Sequence, residues 1–303
     1  MKIKAWIRAL RLRTLPLSLS GIIVGSALAF TLGGWDLRIF TLAISTTILF
    51  QVLSNLANDL GDAQKGTDNE RRIGPERAVQ SGVISQHQMK IAVIIVAILS
   101  FVSALFLIHF SASYLTESMI WTYVGLALLS IAAAILYTIG KSAYGYYGFG
   151  DIMVFFFFGL LSVFGVYFLF GLNWNLILVY PAISIGCWST AVLNLNNMRD
   201  IENDRASAKK TLAVQLGRNG AKMYHLSLVI IGFITWFISA GIHSGTTGNW
   251  IFVISALPPI LFYPHIIRII KIKEPQQYDA ELKKVALITF FSSLLFSICL
   301  FTV

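Results

Sequence analysis

The 303-residue chain is 56% apolar and only 12% charged, with a mean hydropathy of +0.74, which excludes a water-soluble globular fold. A net charge of +9 would suggest nucleic acid in a soluble protein. Here the basic residues flank apolar runs, so topology accounts for them and no nucleic-acid partner is expected. Cys187 and Cys299 lie in separate apolar runs and define neither a disulfide framework nor a cysteine metal site.

The N-terminal stretch MKIKAWIRALRLRTLP has no apolar core ahead of its first cations. It reads as an amphipathic cytoplasmic lead-in and not as a cleavable signal. Beyond it, a crossing needs roughly 20 apolar residues. Nine stretches qualify, near 15–33, 37–57, 90–110, 119–139, 152–171, 175–197, 223–242, 250–270 and 284–303. Alternating the connections between two faces puts 22 of the 23 basic residues on one side and Arg38 alone on the other. Cations collect on the cytoplasmic side, so the pattern predicts a cytoplasmic N-terminus and an outward C-terminus.

The expected fold is all-α: a polytopic membrane bundle of nine helices around a central cavity, one domain over 1–303. Helices satisfy their backbone groups internally, and a barrel would show two-residue alternation instead. Gly21 and Gly25 in the first span, with Gly159 and Gly165 in the fifth, point to close helix packing. Two long polar connections, 58–89 and 198–222, lie four spans apart and therefore on the same face. Each follows the second span of a four-span block, which suggests an internal duplication of spans 1–4 and 5–8.

The first connection opens with Asn58-Asp59-Leu60-Gly61-Asp62, followed by Asp68. If the helix continues past residue 57, Asn58 and Asp62 share one face about 6 Å apart at Cβ. The second connection repeats the four-residue step with Asn196, Asp200 and Asp204. Oxygen ligands in two such faces suit Mg²⁺, which takes one or two carboxylates together with substrate phosphates and water. A diphosphate would then be held through metal, while Arg72, Arg77, Lys141 and Lys209 neutralise its remaining charge. The competing structural account makes these acids helix caps or solvated loop charges. Matched spacing in two connections on one face of the membrane favours the site.

A third segment, Tyr137 to Asp151, joins spans four and five on the same side. Lys141 and Asp151 are polar at the cavity mouth and Tyr137 is a candidate substrate contact, whereas Tyr146 and Tyr147 read as an interfacial belt. The five histidines show no pair at ligand spacing, and the phenylalanines at 155–158 read first as packing, with contact to a cation as the alternative. No Walker loop or dinucleotide fingerprint is present.

These residues resemble the UbiA superfamily of intramembrane aromatic prenyltransferases, whose acidic motifs NxxxD and DxxxD correspond here to Asn58–Asp62 and Asp200–Asp204. RTLP at 13–16, SNLANDLGDAQKGTD at 54–68, RIGPERAVQSG at 72–82 and LNLNNMRDIENDRASAKKTLAVQLG at 193–217 are similar to the bacterial branch acting on 1,4-dihydroxy-2-naphthoate. Many members carry a further aspartate four residues after the first motif; here that position is Gly66, with Asp68 two residues on. The resemblance implies Mg²⁺-dependent transfer of a polyprenyl group from its diphosphate to the naphthoate within a bacterial inner membrane. It assigns Asn58, Asp62, Asp68, Asp200 and Asp204 to metal, and Asn58, Arg72, Arg77, Tyr137, Asn196 and Lys209 to substrate. Asp62, Asp200, Asp204 and Lys141 would act in catalysis. Competing readings are another aromatic acceptor such as 4-hydroxybenzoate, or an ion-coupled transporter, which would place its acids at mid-membrane.

Overall fold

The computed structural model describes residues 2–69, 73–75, 77–248 and 250–302. Among them there is no strand, and nine helices are long and apolar enough to cross a membrane. They are α1 Lys2–Thr31, α2 Leu37–Gln64, α3 Gln86–Tyr114, α4 Glu117–Leu136, α5 Gly150–Phe168, α6 Leu176–Arg199, α7 Leu212–Gly245, α8 Phe252–Lys271 and α9 Gln277–Phe301. The chain is thus a multi-pass membrane protein.

Local chemistry sets the helix ends. Asp36 caps α2 by accepting the Arg38 N–H at 2.8 Å, and Ser85 and Gln88 close a capping box on α3. Thr211 accepts the Val214 N–H at the start of α7. Arg11, in the left-handed region at φ 48°, turns the N-terminal segment Lys2–Leu10 away from the membrane-crossing part of α1, Leu15–Thr31. Pro258 and Pro259 remove donors from the helical ladder, so α8 enters through short turns before its regular stretch Phe262–Lys271.

Three helices differ from the sequence expectation in ways that matter for the site. α2 runs to Gln64, two turns past the apolar stretch, and so carries the first acidic motif on regular helix. α9 begins at Gln277, which brings Asp279 and Glu281 onto its first turns. α5 widens into a π-helix over Phe155–Leu161.

Packing divides the bundle into α2–α3–α4 and α5–α9, with α1 between α2, α5 and α9. Gly25 permits the α1–α5 approach, since a Cβ there would collide with the Val163 carbonyl. Between α1, α2, α3, α4 and α5 lies a mainly apolar chamber of about 350 Å³. Phe157 and Phe158 line it, so half of the phenylalanine run faces the cavity instead of serving only as packing. At the other side of the bundle, His225 of α7, His265 of α8 and Glu281 of α9 form a buried chain of hydrogen bonds at 2.8 and 2.7 Å. Forty residues separate the two histidines, which is why no pair was legible in the sequence.

Candidate active site

The chamber ends at Asn58 and Tyr137, and the acidic residues begin there. Gly61 allows this junction: a Cβ would stand 2.7 Å from the Thr138 carbonyl carbon. The segment after α4 therefore lies directly on α2, and the Thr138 hydroxyl donates to the Ala57 carbonyl at 3.0 Å and to Asn58 Oδ1 at 3.3 Å.

One turn further, Asp62 is 2% exposed and is enclosed by donors. Arg77 Nη1 donates to its Oδ2 at 2.7 Å, Tyr146 donates to Oδ1 at 2.8 Å, and Lys209 Nζ stands 3.8 Å from Oδ1. The same Arg77 nitrogen lies 3.1 Å from Asp68 Oδ2 and donates to the Asn58 carbonyl at 2.9 Å. Asp59 reaches the same arginine from the other side, with Oδ1 4.0 Å from Arg77 Nε, and accepts the Ala78 N–H at 3.3 Å, fastening the loop that carries Arg77. Burial opposes the charge on Arg77, but Asp62, Asp68 and Asp59 outweigh it and hold the guanidinium protonated above its ordinary value. Arg72 lies outside the described residues.

The second motif is divided by the end of α6. The backbone leaves helical geometry at Asp200 (φ −98°, ψ 12°) and restarts as the short helix Ile201–Ala206. The four-residue step nevertheless persists in the backbone, since the Asp200 N–H donates to the Asn196 carbonyl at 3.2 Å and the Asp204 N–H to the Asp200 carbonyl at 2.8 Å, while the side chains take different partners. Asn196 and Asp200 turn to Arg199, whose Nη2 reaches them at 2.8 and 2.6 Å while Nη1 binds Asp279 at 2.7 Å. Asp204 turns to Lys209, 4.0 Å away. Burial pushes the Asp204 carboxyl up to about 7, Asp200 and Asp62 adding to the rise and Lys209 opposing it.

Lys209 thus joins the two motifs, within 4.0 Å of Asp62 and of Asp204. Asp62, Asp68 and Asp204 offer only oxygen donors. Among the described residues no three acidic, His or Cys side chains are drawn in tightly enough to encage an ion alone. Carboxylate oxygens are the donor type a hard divalent cation takes, together with substrate phosphate and water.

Two expectations shift. Lys141 follows Gly140 (φ 95°), stands exposed and makes no ion pair among the described residues. Tyr146 is 8% exposed and bonded to Asp62 and Thr67, so it belongs to the polar cluster and not to an interfacial belt; Tyr147 is 57% exposed. Asp151 accepts from Tyr224 behind the chamber wall. Asp59 was part of the first acidic cluster without a role of its own, and Thr67, Arg199 and Asp279 had no site role in the sequence reading. Only Arg199, adjacent to Asp200, carried a hint.

A helical membrane bundle with paired acidic motifs at the mouth of an apolar chamber is the architecture of an intramembrane prenyltransferase. The pattern of the UbiA prenyltransferase family matches residues 18–295, and the chain belongs to that family. It is 40% identical over 299 residues to the 1,4-dihydroxy-2-naphthoate octaprenyltransferase of Haemophilus influenzae, covering 98% of this chain and 96% of that one. It is 44% identical over 258 residues to the enzyme of the same name from Escherichia coli, covering 84% and 82%. Among solved structures, a UbiA homolog from Aeropyrum pernix superposes with a TM-score of 0.68 at 17% identity, covering 97% of this chain and 99% of that one. A homolog from Archaeoglobus fulgidus bound to DMAPP and Mg²⁺ gives 0.61 at 14% identity, with the same coverage.

Proposed function

We propose that this protein transfers a polyprenyl group from polyprenyl diphosphate to 1,4-dihydroxy-2-naphthoate, releasing CO₂ and diphosphate and giving demethylmenaquinol. The observation that carries this reading is Lys209 standing between Asp62 and Asp204 at the chamber's polar end. The names of the relatives support the naphthoate as acceptor.

In this reading the isoprenoid tail occupies the apolar chamber. Asp62, Asp68 and Asp204, with Asn58 at the rim, hold Mg²⁺, and bound Mg²⁺ would offset charge on the departing diphosphate. Asp200 and Asn196 act through Arg199, which orients the end of α6. Arg77 and Lys209 take diphosphate oxygens, and Tyr137 stands at the chamber end of the site. Arg72 and Lys141 remain part of the proposal as cations of the adjacent loops.

The allylic C–O bond breaks with its electron pair passing to diphosphate. The ring carbon bearing the carboxylate forms the new C–C bond, and loss of CO₂ returns that pair to the ring. Phe157 and Phe158 face the carbon skeleton, where aromatic faces stabilise a developing cation. A dry chamber protects that cation from water.

The segregation of cations supports a site on the cytoplasmic side of a bacterial inner membrane. The test is incubation of the purified protein with a long-chain polyprenyl diphosphate, Mg²⁺ and either the naphthoate or 4-hydroxybenzoate, with products identified by mass. Prenylated naphthol lacking the carboxylate is the expected product. Turnover of 4-hydroxybenzoate alone, or of neither acid, would overturn the assignment.

A further inference from the structure

We propose that Lys65, held over the ring of Tyr146 beside Lys209, is a further ammonium anchor for the donor's diphosphate, with Tyr146 as its positioning residue. This deepens the proposed function and rests on it. Lys65 is the residue at which α2 ends, and a lysine there has a simpler explanation, since a cation offsets the negative end of a helix. The side-chain geometry indicates more. Its Nζ lies 4.0 Å from the Tyr146 ring centroid, and Lys209 Nζ lies 5.1 Å from the same centroid. The lysine is therefore folded over the site instead of extending into solvent.

Tyr146 is fixed from several directions. Its hydroxyl donates to Asp62 at 2.8 Å and shares a hydrogen bond with Thr67 at 2.5 Å, while its carbonyl accepts the Lys210 N–H at 2.9 Å. The ring is a rigid plate, and two ammonium groups share it. Lys209 is balanced by Asp62 and Asp204. Lys65 feels the charge of Asp62 but is not drawn to within 4.0 Å of a carboxylate among the described residues. Asp62 attracts Lys65 as well as Lys209, and the two ammonium groups gathered over one ring add positive potential beside the acidic rim. A diphosphate, whose oxygens gain charge as the allylic C–O bond breaks and the electron pair moves onto them, is the anion that such a field would hold.

The test uses the full chain in lipid nanodiscs, titrated with inorganic diphosphate in the presence of Mg²⁺. Lys65→Met should weaken diphosphate binding roughly tenfold or more, the scale of a lost charged hydrogen bond. It should raise KM for the polyprenyl diphosphate and leave KM for the naphthoate unchanged. Lys65→Arg should restore most of the affinity. Tyr146→Leu should weaken binding too, and adding Lys65→Met to it should cost less than Lys65→Met alone, because the plate that positions the lysine is gone. Wild-type affinity in Lys65→Met, or strict additivity in the double variant, would overturn the inference while leaving the proposed function standing. If the wild-type protein binds no diphosphate, the proposed function falls and takes this assignment with it. Should Tyr146→Leu fail to fold, the two Lys65 variants decide the matter, since that side chain is only partly buried.

Discussion

The Asn203 side-chain amide donates to the Thr67 main-chain carbonyl at 2.9 Å, joining positions 136 residues apart. This bond ties the loop after the first acidic motif to the short helix holding the second. It keeps Asp62 and Asp204 on the same end of the bundle, which any shared ligand requires.

Loss of either meeting carboxylate should therefore be severe. Asp62→Asn and Asp204→Asn should each lower prenyl transfer by about 100-fold or more, the scale seen when a group that stabilises transition-state charge is removed. Initial rates at saturating Mg²⁺ and both substrates would measure this. Residual rates within a few-fold of wild type would remove both residues from the metal site.

Arg77 should matter first for stability. Its side chain is 11% exposed and lies within 4.0 Å of Asp59, Asp62 and Asp68. Arg77→Ala leaves buried carboxylates without their counter-charge, a change costing roughly 3–5 kcal/mol when a buried pair is broken. A lower thermal midpoint in detergent is expected, with partial recovery on adding Mg²⁺. A midpoint equal to wild type without metal would show that solvent already screens the cluster.

Asp204 gives the pH dependence its sign. Its carboxyl is raised to about 7 in the folded chain from an ordinary 3.8. Between those values the folded state holds a proton that the unfolded state has lost, so metal-free stability should fall as pH rises through this window. Mg²⁺ competes with that proton. Apparent affinity, followed with Mn²⁺ by electron paramagnetic resonance, should climb as pH approaches 7 and level off above it. Asp204→Asn should flatten the profile, and an unchanged slope in that variant would assign the proton elsewhere.

Gly61→Ala tests the seat of the site. The added methyl would meet Thr138 backbone at 2.7 Å, and overpacking of this kind typically costs about 1–3 kcal/mol. The shift would also part Thr138 from Asn58 and move Tyr137 at the chamber mouth. A lower thermal midpoint together with a raised KM for the donor is expected; an unaffected KM would mean that α2 and the segment after α4 adjust independently.

The sequence by itself determined nine crossings, the face that gathers the cations, and the residues available for chemistry at its two long connections. Hydropathy and charge suffice for that, because lipid forces backbone groups into helices and each span is judged on its own length and composition. The four-residue step from Asn58 to Asp62 held because α2 continues through it. From Asn196 to Asp204 the backbone also keeps the four-residue hydrogen bonds, but the turn at Asp200 and the partners Arg199 and Lys209 that separate the side chains are registered by no spacing rule.

Tertiary structure alone decided which charges meet. Tyr146 reaches Asp62, Arg199 reaches Asp279, and Lys141 stands exposed together with Gly140 and Ser142. Each outcome depends on how segments distant in sequence pack against one another. Desolvation makes a buried charge costly until a partner stands within a few ångströms, and it is packing between distant segments that supplies the partner.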